Sequence, residues 1–322
     1  MNSHRFRRVF AFIFSAIALA TVSPSTRAQL FRHTPAQPAT IEILDVGQGD
    51  SILIRSPEGK TALIDAGPTK DAALKLLHRK GIKSLDLVAL SHHHSDHYGG
   101  MEEVVRALKP HYFLATKSGH STSLYLKLLK TVEADGLAVI QPTAHPRKIE
   151  LGSLELTMFP QPPEDRKEEN NNSIGLRLKY GSFAVLFTGD SEESERQWWL
   201  RNNPELVRDC TILKLPHHGS RNGTDLRWLQ AVRPELAVAS LGKNNDYGHP
   251  HSETISLLRR SGIPLMRTDQ LGTITITSDG RGWQVIEPRL AHRDHPTQSD
   301  IDRVATTLDD IPSARTSQTR KR

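Results

Sequence analysis

The segment Ser91–His97 contains the pattern His-x-His-x-Asp-His directly after an apolar stretch that predicts a buried strand. Such a strand would place several metal-binding side chains in one short loop. Imidazole nitrogens and carboxylate oxygens are ligands that a borderline divalent ion such as zinc accepts. His92 and His94 lie two residues apart, so in extended backbone they point the same way and could bind one ion. Asp96 and His97 follow the turn and could face a second ion.

Three later predicted strands also end in residues that can bind a metal. The first ends in Asp190, a carboxylate that could bridge two ions, or alternatively cap the helix that follows. The second is followed by His217 and His218, and the position at the strand end favours His217 as the ligand. The third is followed by His249. Because these residues accompany the histidine loop, a metal site is favoured over a solvated histidine tract without function.

Each half of the chain begins with strand-like segments and continues with alternating strands and helices. The leading strands are predicted over residues 41–46, 51–55 and 61–65 in the first half, and over 154–159, 173–180 and 183–188 in the second. Two such halves fit two facing sheets with helices outside, a four-layer αββα sandwich of the α/β class. Periodicity alone does not separate this layout from other α/β arrangements.

Residues 1–28 are typical of a secretory signal peptide, with three arginines before a short apolar run and a small-x-small site ending at Ala28. The apolar run over 9–22 is shorter than the roughly 20 residues that span a bilayer. An uncleaved anchor is the alternative, and Arg7-Arg8 is a weak indication of twin-arginine export. We therefore expect an exported protein, periplasmic or secreted, without stable membrane association after cleavage.

The 322 residues, 37% hydrophobic and 24% charged, are typical of a soluble globular protein. We expect a linker over 29–40, one domain over 41–288 and a disordered polar tail over 289–322. The formal charge is +6, but residues 29–288 contain 31 basic and 31 acidic residues, so composition does not indicate a basic nucleic-acid-binding body. The single cysteine, Cys210, excludes an internal disulfide, and its apolar surroundings predict a buried structural thiol.

With these motifs, the chain resembles the metallo-β-lactamase-fold hydrolases, and most closely the metallohydrolase domain of the ComEC competence proteins. The segments that carry the resemblance are 44–51, 63–67, 91–100, 170–173, 186–190, 214–220, 247–250 and 267–269. The similarity covers about 41–283. ComEC proteins carry this domain beside a multi-span channel, whereas no apolar segment after residue 28 is long enough to span a bilayer. DNA uptake through a pore is therefore not implied.

The resemblance implies a set of ligands for two divalent ions, zinc or manganese. His92 and His94 would bind the first ion, Asp96, His97 and His217 the second, and Asp190 would bridge them. Many family members supply one more histidine to the first ion, whereas this chain has asparagines at 170–172, with Asn171 or Asn172 as the replacement. An amide is a poorer zinc ligand than an imidazole, which favours a weaker first site or manganese.

Further residues receive supporting roles through the same resemblance. Asp65 resembles the family's buried aspartate that hydrogen-bonds the histidine loop, and Asp45 and Asp50 could act likewise. His249 is either a further ligand or a cation that meets substrate charge, and the second is favoured. Asn172 and His218 are assigned to supporting or substrate contacts. His93 and His251 are expected to take no part.

The predicted chemistry is hydrolysis by a metal-bound hydroxide. Two ions about 3.5–4 Å apart lower the pKa of a shared water towards 7 and stabilise the oxyanion that forms, while Asp96 would orient the nucleophile. The leading hypothesis for the substrate is a phosphodiester, either DNA or a nucleotide. The alternatives are hydrolysis of a β-lactam, lactone or other carboxylic ester, and a non-catalytic binding protein that has retained the fold.

Overall fold

The structure, a computed structural model, describes residues 37–286. The segments predicted as a signal peptide (1–28) and a polar tail (289–322) lie outside the described residues. The first strand begins at Ala39, inside the segment 29–40 that was predicted as a linker. Within the described range, no helix combines the length and the apolar character needed to cross a membrane.

The strands of the described chain form two sheets. They are β1 (Ala39–Ile43), β2 (Ile52–Arg55), β3 (Thr61–Ile64), β4 (Leu87–Ala89), β5 (Tyr112–Leu114), β6 (Ala138–Ile140), β7 (Arg147–Leu151), β8 (Leu154–Met158), β9 (Leu176–Tyr180), β10 (Phe183–Phe187), β11 (Ile212–Lys214), β12 (Leu236–Ala239), β13 (Leu265–Arg267), β14 (Ile274–Ser278) and β15 (Trp283–Ile286). One sheet has the order β15-β14-β1-β2-β3-β4-β5-β6, and the other has the order β13-β12-β11-β10-β9-β8-β7.

Helices connect these strands. They are α1 (Ala72–Arg79), α2 (Ser95–Tyr98), α3 (Met101–Leu108), α4 (Ser123–Ala134), α5 (Glu193–Asn202), α6 (Pro204–Val207), α7 (Leu226–Val232), α8 (Ser252–Arg260) and α9 (Thr268–Leu271). Two short 3₁₀ turns, Glu169–Asn172 and Pro216–Gly219, lie beside the predicted metal ligands.

Three apolar cores separate four layers. In β2, Ile52 and Ile54 face the core between the sheets, whereas Leu53 faces α1, α3 and α4. In β10, Val185 packs between the sheets and Leu186 packs against α5 and α7. Successive residues of a strand point to opposite faces, so strands that are apolar throughout are covered on both sides. The predicted αββα arrangement is the observed one.

The sheets bring one end of their parallel strands together. In the first sheet, β3, β4 and β5 run parallel, and in the second, β10, β11 and β12 run parallel. The residues that follow the carboxyl ends of β3, β4, β10, β11 and β12 include the predicted ligands. Sites in α/β folds commonly form at such strand ends.

Several short elements were absent from the sequence-based prediction. Strand β6 is a three-residue edge strand whose Val139 is exposed. Strand β7 is mostly polar and exposed, and β13 has three residues. Short edge strands carry little periodicity, because few of their residues face a core.

Candidate metal centre

The histidine loop divides its side chains between two environments. After β4, the backbone at His94 is extended, with φ −89° and ψ 142°, and α2 begins at the next residue. The ring centroids of His92 and His94 are 4.8 Å apart, and those of His92 and His97 are 4.2 Å apart. His93 points elsewhere, since its Nδ1 lies 3.0 Å from Glu169 Oε1. The alternation predicted from the spacing is therefore present.

Asp65 fixes this loop from behind. Its carboxylate accepts hydrogen bonds from the backbone N–H of Ser91 at 2.8 Å and from the Ser91 hydroxyl at 2.7 Å. His97 Nδ1 lies 2.8 Å from Asp65 Oδ2. A carboxylate that holds one ring nitrogen of a histidine leaves the other nitrogen directed at the metal position. Asp65 thus lies where the predicted supporting role requires.

Asp190 lies among the imidazoles at the end of β10. Its Oδ1 is 3.3 Å from His97 Nε2, and its Oδ2 is 3.9 Å from His92 Nε2 and 3.4 Å from His218 Nε2. Gly189 precedes it with φ +51°, and a Cβ there would lie 2.9 Å from Ser91 Cβ. The glycine is therefore required for the close approach of the two strand ends that places Asp190 beside the histidine loop.

The structure assigns the position nearest both carboxylates to His218. Its Nε2 lies 3.2 Å from Asp96 Oδ2 and 3.4 Å from Asp190 Oδ2, and its Nδ1 lies 2.8 Å from the Ser240 carbonyl oxygen. His217 Nε2 lies 3.8 Å from Asp190 Oδ2. The preference for His217 over His218 in this position is therefore corrected by the geometry.

The backbone of the 3₁₀ turn Pro216–Gly219 explains why His218, and not His217, takes this position. His217 and His218 have φ values of 49° and 53°, in the left-handed region that few residues other than glycine adopt. The chain therefore turns sharply after β11, and the next residue, His218, is the one directed into the centre. Backbone strain of this kind is found at functional sites.

The carboxylates and imidazoles of the centre stabilise one another's charged forms. Burial opposes ionisation of Asp190, but His218 and then His97 lower the pKa of its carboxyl well below the ordinary value. Burial likewise lowers the pKa of His97, but Asp190, Asp65 and Asp96 raise it well above the ordinary value. His97 and His218 can therefore both remain protonated beside these carboxylates, which raise the pKa of each imidazole. Divalent ions would displace such protons on binding.

His249 lies next to the ligands but does not have the properties of a cation. Its ring centroid is 5.4 Å from that of His217 and 6.0 Å from that of His218. Burial, and then repulsion from His218, His217 and His251, lower the pKa of His249 to about 4. This lowered pKa disfavours the cationic role predicted for His249 and favours a neutral ring, which can donate or accept a hydrogen bond.

The asparagine run contributes a different residue from the two that were predicted. The side chain of Asn172 bonds to Asp165 and Glu169, and Asn171 Nδ2 donates to Asp165 Oδ2 at 3.1 Å, so neither faces the centre. Asn170 lines the same cavity as His94. The 3₁₀ turn over 169–172 points successive side chains in different directions, which the sequence does not indicate.

Asp45 and Asp50, which were both predicted to support the histidine loop, lie in different surroundings. Asp50 Oδ1 lies 3.4 Å from His218 Nδ1, and Asp50 Oδ2 lies 2.7 Å from Lys214 Nζ. Asp45 is exposed after β1, and it lies outside both groups of candidate ligands. Asp50 thus lies where a supporting role requires, whereas the exposed Asp45 belongs to neither group of candidate ligands. Lys214 was not identified from the sequence.

An open cavity of about 290 Å³ gives access to the centre from solvent. It is lined by Gln48, His94, Ser95, Asp96, Asn170, Asp190, His217, His218, Tyr247 and His249. Four of these lining residues were not among the predicted site residues. Ser95 lies within the histidine loop, and the other three are Gln48, Asn170 and Tyr247. These three residues fall within segments 44–51, 170–173 and 247–250, which carry the resemblance, but the sequence alone provided no reason to assign a role to Gln48, Asn170 or Tyr247.

The residues present fit a metal centre. One ligand atom from each of Asp96, His97, Asp190 and His218 lies within 4.8 Å of the others. Within residues 37–286, His92 Nε2 and Asn170 Oδ1 are buried without a hydrogen-bond partner. Buried polar atoms without partners are costly, and an ion that these atoms coordinate would remove that cost.

Comparison with known proteins agrees with this geometry. The sequence profile of the Metallo-beta-lactamase superfamily matches residues 44–243, and the chain belongs to this superfamily. The protein thus combines membership of the metallo-beta-lactamase superfamily with a candidate metal-binding cluster.

Two relatives are competence proteins. The chain is 30% identical over 253 residues to ComE operon protein 3 of Bacillus subtilis (strain 168), covering 73% of this chain and 32% of that protein. It is 30% identical over 252 residues to Competence protein ComA of Neisseria gonorrhoeae, covering 74% of this chain and 32% of that protein. The chain therefore spans about a third of the length of these relatives. The predicted resemblance to competence proteins is confirmed.

A solved structure shows the same fold. CmlA, a diiron beta-hydroxylase from Streptomyces venezuelae, superposes with a TM-score of 0.54 at 16% identity, covering 79% of this chain and 56% of that chain. This likeness confirms the fold.

Proposed function

We propose that this chain is an exported metal-dependent phosphodiesterase that binds two divalent ions and acts on nucleic acid or a nucleotide. The observation that carries the proposal is the position of Asp190, whose two carboxylate oxygens face imidazoles from two strand ends. A carboxylate in this position can bridge two ions. The proposal assigns His92, His94 and Asp190 to one ion, and Asp96, His97, His218 and Asp190 to the other.

Two ions at such a centre acidify a bound water and stabilise negative charge on the attacked group. Asp96 supplies an ionised acceptor, because burial opposes its ionisation but His97 and His218 lower its pKa below the ordinary value. It is thereby suited to orient the attacking water. His249 is neutral near pH 7, and it is suited to donate a hydrogen bond to a non-bridging phosphate oxygen.

The choice of a phosphodiester rests on the relatives. Both relatives described above are competence proteins, and the resemblance to ComEC proteins connects this chain with DNA. Residues 29–288 carry equal numbers of acidic and basic residues, so the ions themselves would provide the attraction for a polyanion.

Asn170 favours manganese over zinc as the first ion. Its Nδ2 donates to Glu192 Oε1 at 3.1 Å, which leaves the amide oxygen for another partner. An amide oxygen suits a hard ion such as manganese better than it suits zinc. Export is part of the proposal because of the signal-like composition of residues 1–28.

The test is turnover by protein that has been stripped of metal and then reloaded with manganese or zinc. We expect cleavage of bis-p-nitrophenyl phosphate and of single-stranded DNA, with no cleavage by the stripped protein. His218→Ala should abolish turnover, whereas His145→Ala, which changes an exposed histidine between β6 and β7, should not.

Two other outcomes would overturn the proposal. Turnover of nitrocefin or a lactone, without any turnover of phosphodiesters, would indicate a carboxylic-ring hydrolase. Protein that binds neither manganese nor zinc and cleaves no substrate would indicate a binding protein with this fold.

A further inference from the structure

Tyr247 is an exposed aromatic residue at the mouth of the metal cavity. Its side chain is 65% exposed, although it lines the same cavity as Asp190 and His218. An aromatic side chain left in water forgoes the free energy of burial. A solvent-exposed ring beside a candidate centre therefore suggests a contact with substrate.

The ring belongs to a series of stacked rings that leads inward. Tyr247 stacks on His249, with centroids 5.6 Å apart and ring planes 21° apart. His249 in turn stacks on His218, with centroids 6.0 Å apart and planes 30° apart. Tyr247 is thus two ring spacings from a candidate metal ligand, and its outer face is available to a ligand.

The loop that carries Tyr247 is held by side-chain hydrogen bonds. Asn245 Oδ1 accepts from the backbone N–H of His249 at 2.9 Å, and Asn245 Nδ2 donates to the carbonyl oxygens of His249 at 2.8 Å and Gly242 at 3.1 Å. The same segment donates to Gln48, since the Gly242 N–H lies 3.3 Å from Gln48 Oε1. The ring is therefore presented from a braced loop, which lowers the entropy cost of binding.

We propose that Tyr247 is a stacking platform for an unpaired nucleobase next to the phosphodiester that is cleaved. This inference rests on the proposed function, because it takes the substrate to be nucleic acid or a nucleotide. Aromatic side chains bind single-stranded nucleic acid by stacking on bases without reading their sequence. Bases within a duplex are already paired and stacked, so the platform selects unpaired bases and frayed ends.

The first experiment measures binding alone. Manganese-loaded protein is titrated calorimetrically with thymidine 5′-monophosphate and with deoxyribose 5-phosphate, which has a hydroxyl in place of the base. We expect the nucleotide to bind more tightly, and Tyr247→Leu to reduce this preference about tenfold, as loss of one base–aromatic stack would.

Matched variants separate stacking from other effects. Tyr247→Phe retains the ring and should retain the preference for the nucleotide. Tyr112→Leu removes an exposed tyrosine at the amino end of β5, whereas the candidate centre lies at the carboxyl ends of the strands. This variant should also retain the preference. An equal preference in wild type and Tyr247→Leu would overturn the platform. Equal losses in Tyr247→Leu and Tyr247→Phe would also overturn it, because the hydroxyl would then carry the effect.

The second experiment measures turnover of a short single-stranded oligonucleotide and of the same oligonucleotide with an abasic site. Tyr247→Leu should lower the ratio of the two kcat/KM values about tenfold. If wild type cleaves neither substrate but still prefers the nucleotide in the titration, the phosphodiesterase proposal fails and the platform stands. If wild type cleaves both and Tyr247→Leu keeps the same ratio, the platform fails alone.

Discussion

Lys214 Nζ lies 2.7 Å from Asp50 Oδ2, and each of the two side chains is 2% exposed. Lys214 also donates to the Leu215 carbonyl oxygen at 3.1 Å. Asp50 faces His218 on its other side, with Oδ1 3.4 Å from His218 Nδ1. A buried ion pair thus lies directly behind a candidate metal ligand, and it connects β11 with the loop that follows β1.

Replacing Lys214 with methionine should destabilise the protein strongly. Removing one partner leaves a buried carboxylate without its counter-charge, which costs about 3–5 kcal/mol of the free energy of unfolding. Lys148→Met is the matched control, because Lys148 pairs with Glu155 at 2.8 Å but is 68% exposed. The control should cost at most about 1 kcal/mol. Denaturant titration measures the free energy of unfolding of both variants. Equal losses in the two variants would contradict the buried ion pair of Lys214 and Asp50.

The same pair predicts a pH dependence of stability. Burial opposes ionisation of Asp50, but Lys214 and then His218 lower its pKa to about 2, below the ordinary value of 3.8. A carboxyl with a lowered pKa stabilises the fold above its unfolded pKa, and this contribution is lost as the pH falls from about 4 towards 2. The difference in free energy of unfolding between wild type and Asp50→Asn should therefore shrink over this window. A constant difference would show that Asp50 does not have a lowered pKa.

Of the two adjacent histidines, His218 should matter more for metal affinity. Its Nε2 lies within 3.4 Å of both Asp96 and Asp190, whereas the His217 ring is partly exposed and its Nδ1 lies 3.2 Å from Glu192. We expect His218→Ala to weaken manganese binding at least about tenfold more than His217→Ala. Calorimetric titration of both variants with manganese measures the two affinities. A larger loss in His217→Ala would instead support His217 as the ligand, as the sequence predicted.

Cys210 should be unreactive in the folded protein. Burial raises the pKa of its thiol to about 11, and the thiolate is the reactive form. Native protein should therefore react slowly with a thiol reagent at pH 8, and protein unfolded in guanidinium should release one equivalent. Rapid reaction of the native protein would contradict the buried position.

The parts of the site that could be predicted from the sequence lie in continuous motifs at strand ends. The histidine loop after β4 and Asp190 after β10 follow strongly apolar strands, so their positions at one edge of the sheets follow from the strand pattern alone. The α/β class could be predicted for the same reason, because the apolar strands are covered on both faces, whereas the choice of the αββα arrangement among α/β layouts depended on the resemblance to the metallo-β-lactamase fold.

The remaining features depend on local backbone or on distant pairs. The choice of His218 over His217 depends on two left-handed residues in a 3₁₀ turn, and neither residue type indicates such a turn. The choice of Asn170 among three asparagines depends on another 3₁₀ turn, Glu169–Asn172. Asp50 and Lys214 are separated by 164 positions, and no periodicity connects them.

The most direct test of the account is the metal content of wild type and Asp190→Ala after dialysis against manganese or zinc. We predict two ions per chain in the wild type, and loss of bound metal in Asp190→Ala while its far-ultraviolet circular dichroism stays unchanged. A folded Asp190→Ala protein that retains two ions would contradict the bridging position, as would a wild type that binds none.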